Sequence, residues 1–316
     1  MSDINQNDPA WERKIIERLA LDALTEQRRR RRWGIFFKLL GFAYFTAVLV
    51  VAIDWGGGER IVDGKKHTAL VQLNGVIRDK GDASAENLVS SLQSAFEDKG
   101  TAGVVLRINS PGGSPVQAGM INDEIRRLRA KYPDIPLYAV VEDVCASGGY
   151  YVAVAADKIF VDKASIVGSI GVLMDGFGFV GTMDKLGVER RLLTAGENKG
   201  FLDPFSPQNG AHKAHAQEML GEIHKQFIEV VRKGRGKRLK ETPDIFSGLM
   251  WTGEKSIELG LADGLGSVDS VARDVIKADD VRDYTVKPNF AEKLAQRFGT
   301  SMAEGAVGLL SRFSLR

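Results

Sequence analysis

Short apolar runs of strand length alternate along this chain with stretches whose apolar residues recur at helical spacing. Residues 69–73, 103–108, 137–141, 158–161 and 188–193 read as strands, and 86–97, 116–130 and 148–156 as helices. A longer helix is predicted over 210–233, with Met219, Ile223, Phe227 and Val230 on one face that should be buried. Strands separated by helices require crossover connections, so the expected fold is α/β. No motif recurs, which argues for one such domain rather than a tandem pair.

Upstream the pattern changes. Residues 34–53, GIFFKLLGFAYFTAVLVVAI, carry a single charge, Lys38. At about 1.5 Å per residue this run matches the roughly 30 Å hydrocarbon core of a bilayer. Lys38 lies near its N-terminal end, where the long stem can return the ammonium to the headgroups. Five arginines at 28–32 directly precede the run. A buried helix of a soluble core does not call for them, whereas a membrane anchor with a cytoplasmic N-terminus does. A cleaved signal peptide is the competing reading, but the run is longer than the usual apolar segment and no clear A-x-A site follows.

Further upstream, Asp8 and Pro9 resemble an N-cap and first helical residue, and Trp11, Ile15, Ile16, Leu19 and Leu24 suggest an amphipathic helix. That helix would lie on the inner membrane face or pack on its copy in an oligomer. Gly56, Gly57 and Gly58 mark a linker. The expected order is a cytoplasmic segment at 1–32, a transmembrane anchor at 33–54, a linker at 55–66, a catalytic domain at 67–280 beyond the membrane, and an amphipathic tail at 281–316.

Composition narrows the function classes. The 316 residues are 44% hydrophobic and 27% charged, ordinary for globular material, and the net charge of +2 supplies no whole-molecule attraction for a polyanion. The basic run at 232–240, RKGRGKRLK, reads as a solvated helix end, and no nucleic-acid partner is expected. Cys145 is the single cysteine, so neither an intramolecular disulfide nor a multi-cysteine zinc site is possible.

Two glycine-rich turns follow apolar strands. In NSPGGSP, at 109–115, a proline and two glycines allow backbone N–H groups to face outward and bind an oxyanion, although such a sequence is also an ordinary turn. In CASGGYY, at 145–151, Ser147 sits at a predicted helix start, as a nucleophile or as a plain N-cap. The four histidines, His67, His212, His215 and His224, occupy no recognisable catalytic setting. His212 and His215 share a helix face but imply no third ligand, so no metal is expected. A lysine is then the candidate base. With an ordinary pKa near 10.4 it must be desolvated to act, and Lys199, between apolar residues and a proline turn in TAGENKGFLDPF, is consistent with a loop tucked into a pocket or with an exposed one.

These motifs carry a resemblance. RINSPGGS, ASGGYYVAVAAD, VGSIGV, AGENKGFLDPF and MWTGEKSIELGLADGLG occur in order, and over about residues 67–275 the chain resembles the signal peptide peptidase A family in its short, single-domain form. That family lies within the Clp protease and crotonase-like superfamily. The resemblance implies a domain of repeated β-β-α units, a Ser147 nucleophile, a Lys199 general base and an oxyanion hole from the amides of Gly113 and Gly148. Ser169 would orient the lysine. It further implies no cofactor, a homo-oligomer in which the lysine reaches a neighbouring serine, and a bacterial inner-membrane protein with a periplasmic catalytic domain. Its substrates would be remnant signal peptides or other apolar peptides. A crotonase-like thioester enzyme and a non-catalytic assembly subunit are the alternatives on the same fold.

Overall fold

The structure, a computed structural model, describes residues 11–54 and 65–286. It divides into two compact units, residues 1–61 with 288–316, and residues 62–287. Within the first, the described element is one helix, α1 (Trp11–Asp54). The amphipathic helix and the span expected as separate pieces are thus continuous, with the arginines exposed between them and Ile35, Phe36, Leu39 and Phe42 exposed after them. Among the described residues no helix is long and apolar enough to cross a membrane. The span expected at 34–53 runs past Val48, after which the side chains of α1 lie outside the described residues. The Asp8 cap, linker residues 55–64 and the tail from 287 onward lie outside them too.

The second unit is an α/β domain. Its elements are β1 (His67–Asn74), α2 (Ala85–Glu97), β2 (Thr101–Ser110), α3 (Pro115–Lys131), β3 (Leu137–Ala146), α4 (Gly148–Ala153), β4 (Lys158–Val161) and β5 (Ile166–Gly168). There follow α5 (Val180–Lys185), α6 (Gly210–Arg235), β6 (Met250–Thr252), α7 (Gly253–Glu258), β7 (Gly264–Leu265), α8 (Val268–Ser270) and β8 (Val281–Asp283). The sheet runs β6-β5-β3-β2-β1-β8, with β4 and β7 branching from β3. Its pairs are parallel apart from β5 with β6. The first half of β3 pairs with β4 and the second half, Val144 to Ala146, with β5. This fork carries the end of β3 out toward the functional site.

Helix starts follow side-chain capping: Ser84 accepts from the Asn87 amide, and Ser114 accepts from the Gln117 amide with Pro115 next in line. Leu88, Leu92 and Phe96 of α2 and Ile121, Ile125 and Leu128 of α3 pack with Val71, Leu73, Leu106 and Ile108 in the main core. The opposite sheet face buries Leu70, Val105 and Val140 against Val271, so the central strands are apolar on both faces.

The structure differs from the sequence pattern in several places. Residues 188–193 form no strand: no sheet edge within the described residues receives them, and Leu193 is 97% exposed. Helix α6 does not bury its expected face along its whole length. Met219 is exposed, and the buried positions are Ala216, Phe227, Val231 and Arg235, because mainly the C-terminal half packs on the domain. The basic run is not merely solvated, since the buried Arg235 forks onto Asp263 at 2.8 and 2.9 Å and donates to the Gly260 carbonyl. Burial would raise the Asp263 carboxyl, and the Arg235 fork outweighs it, holding the group below its ordinary range. The sheet continues past residue 280 through β8, which pairs with β1.

Candidate active site

Two tight turns meet where β2 and β3 end. After Ser110 the chain folds back so that Gly113 bridges Ile77: the Ile77 amide donates to the Gly112 carbonyl at 2.8 Å, and the Ser114 amide to the Ile77 carbonyl at 2.9 Å. A Cβ on Gly113 would lie 2.1 Å from the Ile77 oxygen, at a φ of +146°, so only glycine fits. A Cβ on Gly112 would lie 2.7 Å from the Gly148 nitrogen and from the Ser147 Cβ, so the second turn presses directly on the first. The bridge leaves the Gly113 N–H unused. Gly148 is the first residue of α4, where no intrahelical acceptor exists. Among the described residues neither amide donates a hydrogen bond.

Ser147 adopts φ 51° and ψ −122°, a conformation that costs a non-glycine residue about 1–3 kcal/mol. Its surroundings hold it there. Its amide donates to the Gly168 carbonyl at 2.9 Å, and the fully buried Tyr150, three residues on, donates its hydroxyl to the Leu261 carbonyl at 2.8 Å. The plain N-cap reading fails, because the Ser147 hydroxyl makes no capping bond to α4. Ser169 also takes a positive φ, 52°, fixed by donation from its amide to the Leu249 carbonyl at 2.7 Å.

Gly113, Ser147, Gly148 and Ser169 line one cleft of about 540 Å³, walled on its apolar side by Tyr151, Ile223 and Phe227. The Tyr151 and Phe227 rings are 5.1 Å apart. Four of the five expected site residues therefore converge. Lys199 does not: it is exposed, and it does not line the cleft within one chain. Its loop is held by the start of α6, where Asn198 meets His212 at 3.1 Å and the Phe201 ring packs against His212 and His215. The same helix faces the cleft through Ile223 and Phe227, roughly 20 Å farther along its axis at 1.5 Å per residue.

Among the described residues no cluster of three potential metal ligands occurs, and His212 and His215 serve instead as the seat for Phe201. Sequence reasoning missed His224, which contacts the Ile170 carbonyl at 3.1 Å and ties α6 to the chain beside Ser169. Its place directly after Ile223 and three residues before Phe227 in the predicted helix was the available signal. Cys145 is fully enclosed beneath Ser147, and burial pushes its thiol far above the ordinary range. The native protein should therefore resist iodoacetamide and react only on unfolding, which mass spectrometry would follow; rapid native alkylation would contradict this packing.

A model of peptidase family S49 matches residues 129–282, taking in Ser147, Ser169 and Lys199. A protein of Enterococcus faecium, provisionally named signal peptide peptidase SppA, is 31% identical over 238 residues, covering 72% of this chain and 69% of that one. The chain belongs to peptidase family S49. A Methanocaldococcus jannaschii protein provisionally named a protease is 30% identical over 248 residues, or 76% of this S49 chain and 79% of its own length. A higher identity, 41% over 243 residues and 75% of this chain, links it to a Brucella melitensis protein named Na(+)/H(+) antiporter NhaA. This S49 chain spans a third of that relative's length, 33%.

Proposed function

We propose that the chain is a membrane-anchored serine endopeptidase in which Ser147 is the nucleophile and Lys199 of a neighbouring copy is the general base. The observation that carries this reading is the main chain at Ser147: a strained serine with an uncapped hydroxyl, beside two unused amides, at the mouth of a partly apolar cleft. Such a serine has no structural task in α4. In the proposed reaction Lys199 takes the hydroxyl proton as Ser147 Oγ attacks a peptide carbonyl. The Gly113 and Gly148 amides stabilise the oxyanion, and the lysine returns the proton to the leaving amine. A water molecule, deprotonated by the same amine, then releases the acyl group and restores the Ser147 hydroxyl.

Lys199 is supplied in trans in this scheme because it is exposed and does not line the cleft of its own chain. The segment around it carries exposed apolar side chains, Leu173, Phe177 and Leu193 at 80%, 80% and 97%, which a second copy would cover. Such contact also provides the desolvation that a lysine base requires. In this scheme Ser169, on the cleft wall, accepts a hydrogen bond from that amine once it arrives. This ring-like arrangement and the repeated-unit Clp protease-like topology follow the family resemblance.

The proposed site of action is the outer face of a bacterial inner membrane. The exposed apolar residues of α1 beyond the arginines support an anchor there with the N-terminus inside. Substrates would then be apolar peptides at the bilayer, remnant signal peptides among them, which suits the Tyr151 and Phe227 wall.

The test is active-site labelling of the detergent-solubilised full chain with a fluorophosphonate, alongside a peptidase assay. Labelling on Ser147 that tracks loss of peptide cleavage is expected. Thioester turnover without labelling would instead indicate the crotonase-like alternative.

A further inference from the structure

The turn that carries Gly113 is held by five hydrogen bonds among the described residues, of which three join main chain to main chain. The Gly75 amide donates to the Asn109 carbonyl at 2.9 Å, and Ile77 makes its two bonds to Gly112 and Ser114. The other two share one side chain. Ser110, fully buried at the end of β2, donates its hydroxyl to the Gly75 carbonyl at 2.7 Å and accepts from the Gly112 amide at 3.2 Å. Its hydroxyl thereby ties the residue before Gly113 to the end of β1. The same residue abuts the serine turn: a Cβ on Gly149 would lie 3.0 Å from the Ser110 carbonyl and 3.3 Å from its Cβ. Ser110 also pairs with Cys145 across the register shift in β2.

We propose that Ser110 is a positioning residue of the peptidase site, whose hydroxyl sets the direction of the Gly113 amide relative to the Ser147 turn. It touches neither substrate nor reacting atoms. Replacing it by alanine leaves the Gly75 carbonyl and the Gly112 amide without partners, while the main-chain bonds at Ile77 keep the fold together. The peptide plane between Pro111 and Gly112 is then free to tilt, and the adjoining plane that carries the Gly113 amide is left with its Ile77 bond alone to fix its direction. A misplacement of that size acts on the transition state, where the oxyanion forms, more than on bound substrate.

This role rests on the Ser147 peptidase reading, and the test separates the two. Ser110→Ala is compared with Thr68→Val, which removes another fully buried hydroxyl donating to a carbonyl, that of Ala278, at the opposite end of β1. Both should lose thermal stability. Only Ser110→Ala should lose about 10- to 100-fold in kcat, with KM nearly unchanged and with a parallel loss of affinity for a peptide aldehyde, whose adduct with Ser147 carries the oxyanion. If the alanine variant does not fold, Ser110→Cys, with the same number of atoms and a weaker hydrogen-bonding group, replaces it with the same expected pattern. Equal kcat in the Ser110 and Thr68 variants, or losses in KM alone, would overturn the positioning role while leaving the peptidase reading intact. A folded wild-type chain with neither cleavage nor Ser147 labelling would overturn both.

Discussion

Ser147→Ala and Lys199→Ala proteins, each inactive alone, should regain activity when mixed under conditions that allow subunit exchange. Loss of a nucleophile or its base costs on the order of 10⁶-fold in kcat in serine peptidases, so each single variant should fall to background. The mixture differs because of where the chain places its groups. Ser147 lines the cleft, whereas the Lys199 loop is clasped by His212 and His215 at the far end of α6. In a head-to-tail ring each site takes its serine from one copy and its lysine from the next. Random mixing of equal amounts then leaves roughly a quarter of the sites with both groups intact. Peptidase activity approaching that fraction, rising with exchange time, is the expected result. Background activity after exchange has been verified by mass-tagged subunits would place the base within the same chain or on another residue.

The second large effect is expected at Gly113. Gly113→Ala places a methyl group 2.1 Å from the Ile77 oxygen, at a φ that L residues rarely adopt. Neither neighbour can yield without breaking the Ile77 bridge, so the turn must move and its amide with it. Removing one oxyanion donor costs about 100- to 1000-fold in kcat, and the displaced turn should cost at least the lower figure. Gly119→Ala, in α3 with open space around its Cβ, is the matched control and should be neutral or stabilising by up to about 1 kcal/mol. Wild-type kcat in a folded Gly113→Ala protein would remove that amide from the mechanism.

The legibility of this chain in its sequence varied with the range of the forces involved. Strands at 69–73, 103–108, 137–141 and 158–161 were readable because most of their residues are buried and therefore apolar, with Gln72, Arg107 and Lys158 as the polar interruptions. The segment at 188–193, VERRLL, carries apolar residues only at its ends and forms no strand, since strand formation also needs a partner edge that local sequence does not encode. On α6 the apolar spacing was real, but how far along the helix the domain reaches decided which of those residues were covered.

The site divides in the same way. Glycine-rich turns after strands marked the two segments that hold Gly113 and Ser147, and at Gly112 and Gly113 the reason is a positive φ that favours glycine. Local sequence by itself thus determined the order of strands and helices from β1 to β4 and the two turns, and it offered Lys199 as a candidate base. Tertiary structure alone decided that Ser147 leaves its hydroxyl uncapped, that Ser110 braces the neighbouring turn, and that Lys199 is exposed far along α6 from the cleft of its own chain. Those outcomes depend on contacts between residues distant in sequence, and such contacts impose no spacing rule that a linear pattern can carry.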